Sequence, residues 1–167
     1  MMRLALLRVV FLGVFFLYSP LGNPSAYAAP QSVYHVPPND IASYIAGQKG
    51  RKRAVVVWAS WCPYCRKDMS QYIAAEKNHP GSMVMLSIDE DLEQLRAYLD
   101  HRNLAPLKVI IVKHTAGQSL DNALSPLGIR PVRSFPTVIL LDEKNAVVRQ
   151  GDGSSINIEQ FLGSEGS

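Results

Sequence analysis

Both cysteines of this chain, Cys62 and Cys65, fall within Trp61-Cys62-Pro63-Tyr64-Cys65, directly behind the apolar run Ala54 to Trp58. Consecutive β-branched residues, Val55, Val56 and Val57, mark that run as a buried strand, and the residues after Cys65 have the composition of a helix. Cys62 is therefore placed at a strand-to-helix junction. The first backbone N–H groups of a helix have no internal partner and its dipole is positive there, so a thiolate is favoured over a thiol and becomes a nucleophile. Pro63 suits the first helical turn, where its missing N–H costs nothing. Cys65, nearly one turn later, returns to the same side and can close a disulfide with Cys62.

Upstream, Arg3 and Arg8 precede the almost wholly apolar stretch Val9 to Tyr18, followed by the small residues Ser25 to Ala29. This pattern reads as a secretory signal, and Ala26-Tyr27-Ala28 fits an A-x-A cleavage site. The apolar core is shorter than the roughly 20 residues a spanning helix needs, which weighs against the rival reading of an uncleaved anchor. The expected organisation is a signal over residues 1–28 and one domain over 29–167, in a periplasmic or otherwise extracytoplasmic location. The leader carries two of the 17 basic residues and none of the 14 acidic ones. Without it the charge is close to balanced, so no nucleic-acid partner is expected.

In an oxidising compartment a stabilising disulfide normally links distant parts of a chain and removes loop entropy from the unfolded state. A bridge across two residues closes almost no loop, so redox chemistry explains the pair better than stapling does. A zinc site would need a second pair of ligands, and His35, His79, His101 and His114 contain no close His-x3-5-His pair. Arg66 rather than His follows Cys65, which disfavours covalent haem. No metal and no organic cofactor is expected.

Along the mature chain, Val33 to Val36 reads as a short edge strand stopped by Pro37-Pro38. Asn39 or Asp40 is the expected cap of a helix to about Gln48, with Ile41, Tyr44 and Ile45 on one face. Gly47 to Arg53 reads as a solvated basic loop. Met83 to Asp89 is a second buried strand, and Asp89 to Asp91 supplies acidic caps for a helix to about Arg102. Leu107 to Val112 is a third apolar run, and Ser119 to Leu127 a weaker helix ended by Gly128. Thr137 to Leu141 and Ala146 to Arg149 flank a turn in which Asn145 takes the left-handed conformation. A short helix around Ile158 to Leu162 follows. Strands alternating with helices, then a hairpin, argue for an α/β architecture with a mixed sheet.

Val57 to Cys65 resembles the active-site segment of thioredoxin-fold oxidoreductases, and Phe135-Pro136-Thr137 is similar to their cis-proline loop. Between them the strand Met83 to Asp89, the helix after Asp91 and the run Leu107 to Val112 resemble the βαβ-type insertion of the exported TlpA/ResA-like branch. The resemblance implies a thioredoxin-like fold, a central mixed sheet flanked by helices, with that insertion before the cis-proline loop. It implies Cys62 as attacking thiol, Cys65 as resolving thiol, and Pro136 in a cis peptide facing them, where the Phe135 backbone can pair with an extended substrate. Trp61, Pro63, Tyr64, Phe135 and Pro136 are the expected substrate-binding residues; Trp58 is expected in the core.

The chain departs from the family pattern at three places. Val56 stands where an acidic or polar proton-transfer residue is common, Ser70 where a helix-kinking proline is common, and Phe135 is bulky before the proline. Asp68, three residues past Cys65, offers itself as a proton acceptor for that thiol, but surface acids on helices are common and it reads first as a solvated helix residue. The function implied is an exported thiol-disulfide oxidoreductase acting on protein cysteines as a reductant, monomeric and served by a membrane-bound redox partner. The alternatives are a periplasmic oxidase or isomerase, and a non-catalytic thioredoxin-fold binding module of an envelope complex.

Overall fold

The three valines lie at the centre of the molecule. In the computed structural model, which describes residues 33–113 and 117–164, strand β2 (Arg53–Trp58) is buried along its whole length. It has a strand on either side and a packed layer on either face. Parallel to it runs β3 (Met83–Ser87), with Val55 opposite Val84 and Val57 opposite Leu86. On its other side β5 (Thr137–Leu141) runs antiparallel, with Val55 opposite Ile139. Strands β4 (Val109–Val112) and β1 (Val33–Val36) continue the parallel half, and β6 (Val147–Asp152) closes the antiparallel half. The sheet order is β1-β4-β3-β2-β5-β6.

Successive residues of a strand face opposite sides, so β2 divides its side chains between two cores. Ala54, Val56 and Trp58 pack with Met69 and Tyr72 of helix α2 (Pro63–Asn78), Leu95 and Leu99 of α3 (Leu92–His101), and Ile158 of α5 (Ile158–Gly163). Val55 and Val57 pack on the other face with Ile41 of α1 (Pro38–Ala46) and Leu124 of α4 (Leu120–Leu124). Each fully buried aliphatic side chain here contributes about 1.5–3 kcal/mol relative to exposure. The expected α/β fold with a helix-flanked mixed sheet is the one formed. The βαβ unit before the proline loop is β3, α3 and β4, and β4 lies between β3 and β1.

Several local expectations are corrected. Pro38 does not merely stop β1; it is the first residue of α1, with Pro37 as its cap, because proline's missing N–H and fixed φ suit that position. Tyr44 is exposed, leaving Ile41 and Ile45 to face the core. Arg53, assigned from sequence to a solvated loop, is fully buried at the start of β2. Its guanidinium donates through Nη2 to the Ile45 carbonyl at 3.0 Å and through Nη1 to Gln48 Oε1 at 3.3 Å, while its Nε has no partner among the described residues. Helix α4 passes into a 3-10 turn at Ser125–Leu127, ended by Gly128 in the left-handed region at φ 67°. Asn145 turns the final hairpin at φ 69°, as its sequence context indicates. The leader assigned to residues 1–28 lies outside the described residues.

Candidate active site

The chain leaves β2 at Trp58, turns through Ala59 and Ser60, and enters α2 at Pro63. Cys62 is the N-cap. Its N–H donates to the Ala59 carbonyl at 3.2 Å, and its Sγ accepts the Cys65 N–H at 3.2 Å. Sulfur therefore fills the place a serine or aspartate oxygen usually takes at a helix start, where negative charge is stabilised by unpaired N–H groups and the dipole. No acidic residue in the first turn opposes that field.

Both cysteines are free thiols; Cys62 is 4% exposed and Cys65 fully buried. The Cys62 thiol also faces the Phe135 carbonyl at 3.5 Å, and the Phe135-Pro136 peptide is cis, as the resemblance implied. Burial, the neighbouring Cys62 thiol and the charge of Asp68 push the Cys65 thiol above its ordinary range. The sulfurs thus differ in kind. One lies at the rim on a helix N-terminus, and the other is sealed beneath it and kept protonated.

Of the residues nominated from sequence, Trp61, Pro63 and Tyr64 flank Cys62 in the chain at the junction, and the loop of Phe135 and Pro136 reaches it through the Phe135 carbonyl. Trp61 and Tyr64 are 48% and 71% exposed, and Trp61 meets Phe135 edge to face at 5.9 Å between centroids. Together they form an apolar rim beside Cys62. Trp58 is in the core, against Tyr98 at 6.0 Å. Helix α2 runs unbroken for 16 residues through Ser70.

Other features were not read from sequence. Asp89 is not a helix cap. That role belongs to Asp91, which accepts the N–H groups of Glu93 and Gln94. Asp89, 4% exposed, instead accepts the Ser60 N–H at 3.0 Å, the Ser60 hydroxyl, and the Ser87 hydroxyl at 2.6 Å. It ties the end of β3 to the loop that carries Cys62. The available signal was an acid closing an apolar strand, with Ser60 and Ser87 placed to donate to it. Asp68 is half-buried rather than solvated, and its Oδ2 lies 2.9 Å from the position a Cβ on Gly153 would take.

Two thiols so placed can carry a two-electron exchange, becoming one disulfide as a second disulfide becomes two thiols. Comparison with known proteins agrees with that chemistry. A family model described as Redoxin matches residues 28–161. The thioredoxin-like protein YneN of Bacillus subtilis (strain 168) is 24% identical over 127 residues, covering 72% of this chain and 68% of YneN. Among solved structures, the pneumococcal exposed lipoprotein thioredoxin Etrx1 of Streptococcus pneumoniae is similar with TM-score 0.51 and 20% identity, over 65% of this chain and 79% of that one. A thioredoxin-family thiol:disulfide interchange protein of Chlorobium tepidum gives TM-score 0.53 and 17% identity, over 70% and 81%. At these identities the two structures speak to the fold.

Proposed function

The chain belongs to the redoxin family as a thioredoxin-like thiol-disulfide oxidoreductase, and on that premise we propose that it reduces disulfides of exported proteins, with Cys62 as the attacking thiol and Cys65 as the resolving one. The observation that carries this reading is the inequality of the two sulfurs: Cys62 caps α2 at the rim, facing the Phe135 carbonyl, and Cys65 is sealed below it.

The Cys62 thiolate attacks a substrate disulfide, forming a mixed disulfide and releasing one substrate thiolate. Cys65 then attacks Cys62 Sγ, the second substrate thiolate leaves, and the protein holds the Cys62–Cys65 disulfide. The Cys65 proton must depart in this second step. Val56 is apolar and fully buried, so the family's usual polar group is missing there. Asp68, one turn past Cys65 and electrostatically coupled to it, is the nearby acid on the same helix and accepts that proton in our reading. An extended substrate segment lies along Phe135 and Pro136, with Trp61, Pro63 and Tyr64 beneath it.

The signal over residues 1–28, an extracytoplasmic site of action, a monomeric state and a membrane-bound donor that re-reduces the pair belong to the same proposal. One neighbour in fold, Etrx1, is itself described as an exposed lipoprotein. No organic cofactor or metal takes part in the exchange as proposed.

Equilibrating the protein against graded glutathione and dithiothreitol buffers, then counting alkylated thiols by mass, tests the direction. A reductant is expected near the thioredoxin potential of about −270 mV, and a value of about −120 to −180 mV would make the protein an oxidase or isomerase. Cys62→Ser is expected to abolish disulfide reduction; full activity in that variant would overturn the assignment of the attacking thiol.

A further inference from the structure

Tyr72 lies one turn beyond Asp68 on the buried face of α2, and its side chain is fully buried. Among the described residues its hydroxyl makes no hydrogen bond. Such a group is costly in a core, and phenylalanine would fill the same space without leaving a polar atom unpaired. The hydroxyl's position is informative. A Cβ built on Gly153 would lie 2.9 Å from Tyr72 Oη, 2.9 Å from Asp68 Oδ2 and 2.7 Å from Pro136 Cγ. The phenol and the carboxylate thus converge at one point behind the proline loop, where the glycine leaves room for both. Burial, the charge of Asp68 and Cys65 together keep the phenol protonated, hence a donor.

The ionisable groups facing this point are few. Asp68 and Cys65 stand on the same helix and Cys62 at its cap. Tyr98 of α3 faces Cys65. The β6 turn brings Gly153 and the proline loop Pro136, neither of which titrates; Asp152 beside Gly153 is exposed and engaged by the Ser154 hydroxyl at 2.6 Å and the Ser155 N–H at 3.1 Å.

We propose that the Tyr72 hydroxyl is a positioning group for the resolving step: it donates to the Asp68 carboxylate, directly or through one water, and holds it where it receives the Cys65 proton. This rests on the proposed roles of Cys65 and Asp68. As Cys65 attacks the Cys62–substrate disulfide, the Cys65 S–H bond breaks and its proton passes to Asp68. The Cys62–Cys65 bond forms, the substrate thiolate leaves with the electron pair of the broken S–S bond, and Asp68 returns the proton to water. Tyr72 keeps its own proton throughout.

The test uses a coloured nitrothiobenzoate disulfide, which releases one thiolate when Cys62 is modified and a second when Cys65 resolves the adduct. In Tyr72→Phe the first phase is expected to stay within about 2-fold of the parent. The second is expected to slow about 3- to 10-fold near neutral pH, with its pH profile displaced upward. Melting temperature should stay close to the parent's, so a slower second phase reflects the proton step and not a loss of fold. In an Asp68→Asn background the same substitution is expected to add less than about 2-fold, since both act on one proton. A second-phase pH profile superimposable on the parent's, or losses that simply multiply in the double variant, would overturn the proposal. If Asp68→Asn alone leaves the second phase intact, the carboxylate has no proton to receive and the proposal falls with it. A second phase that persists in Cys65→Ser would instead overturn the resolving role of Cys65, an outcome distinguishable from the others.

Discussion

Replacing Asp89 with alanine would strand three donors in a buried site: the Ser60 N–H, the Ser60 hydroxyl and the Ser87 hydroxyl. Each loses its acceptor where water does not easily replace it, so urea unfolding should show a loss of about 2–4 kcal/mol. A change below about 0.5 kcal/mol would mean that the loop before Cys62 is held by other contacts. Asparagine retains one acceptor oxygen but turns an N–H toward donors, so Asp89→Asn is expected to fall between alanine and the parent. The rim aromatics predict a different signature. Trp61→Ala and Tyr64→Ala remove exposed apolar surface without touching a sulfur, so kcat/KM for a protein disulfide should fall about 5- to 30-fold, with small aromatic disulfides reduced within about 2-fold of the parent. Equal losses on both substrates would assign these side chains to the geometry of the thiols instead of docking.

At the scale of elements, the junction of β2 and α2 was legible because several signals coincide there: a β-branched run, a proline at the first helical position, two cysteines nearly one turn apart and a helical composition after them. The hairpin was legible through Asn145. What escaped sequence reading depends on partners distant in the chain. Arg53 looks like the end of a basic loop until the Ile45 carbonyl and Gln48, which pair two of its nitrogens, are placed beside it. Asp89 looks like a cap until Ser60, 29 residues away, is placed beside it. Strand β6 extends to Asp152 through exposed and polar residues that carry no core signal; its pairing with β5 defines it. That extension sets up Gly153, whose N–H donates to the Pro136 carbonyl at 3.0 Å. Gly153→Ala would push a methyl group into Pro136, Asp68 and Tyr72 together, at contacts of 2.7–2.9 Å. A loss of about 1–3 kcal/mol is expected by thermal or urea melting, partly recovered when Tyr72→Phe removes one of the three opposing atoms. Unchanged stability in Gly153→Ala would show that the β6 turn moves freely against α2.

For the whole molecule, the buried thiol ties stability to pH in a direction that can be worked out. The folded protein holds the Cys65 proton above the ordinary thiol range, whereas the unfolded chain releases it near pH ~8.5. Above that pH the native state binds more protons than the unfolded state, so stability falls as pH rises. Below it, both states carry the proton and the contribution is fully present. A Cys62→Ser background leaves Cys65 as the one thiol of the chain and so isolates the effect. Its unfolding free energy, from urea melts, should fall from about pH 8.5 upward more steeply than that of the double Cys62→Ser, Cys65→Ser variant, with a difference in slope approaching ~1.4 kcal/mol per pH unit where one full proton is released. Tyr72, also held above its ordinary range by burial, adds a parallel decline above pH ~10 in both proteins and cancels in the comparison. Coincident slopes would mean that Cys65 reaches water in the folded state. That would remove the inequality between the two sulfurs on which a division into attacking and resolving thiols depends.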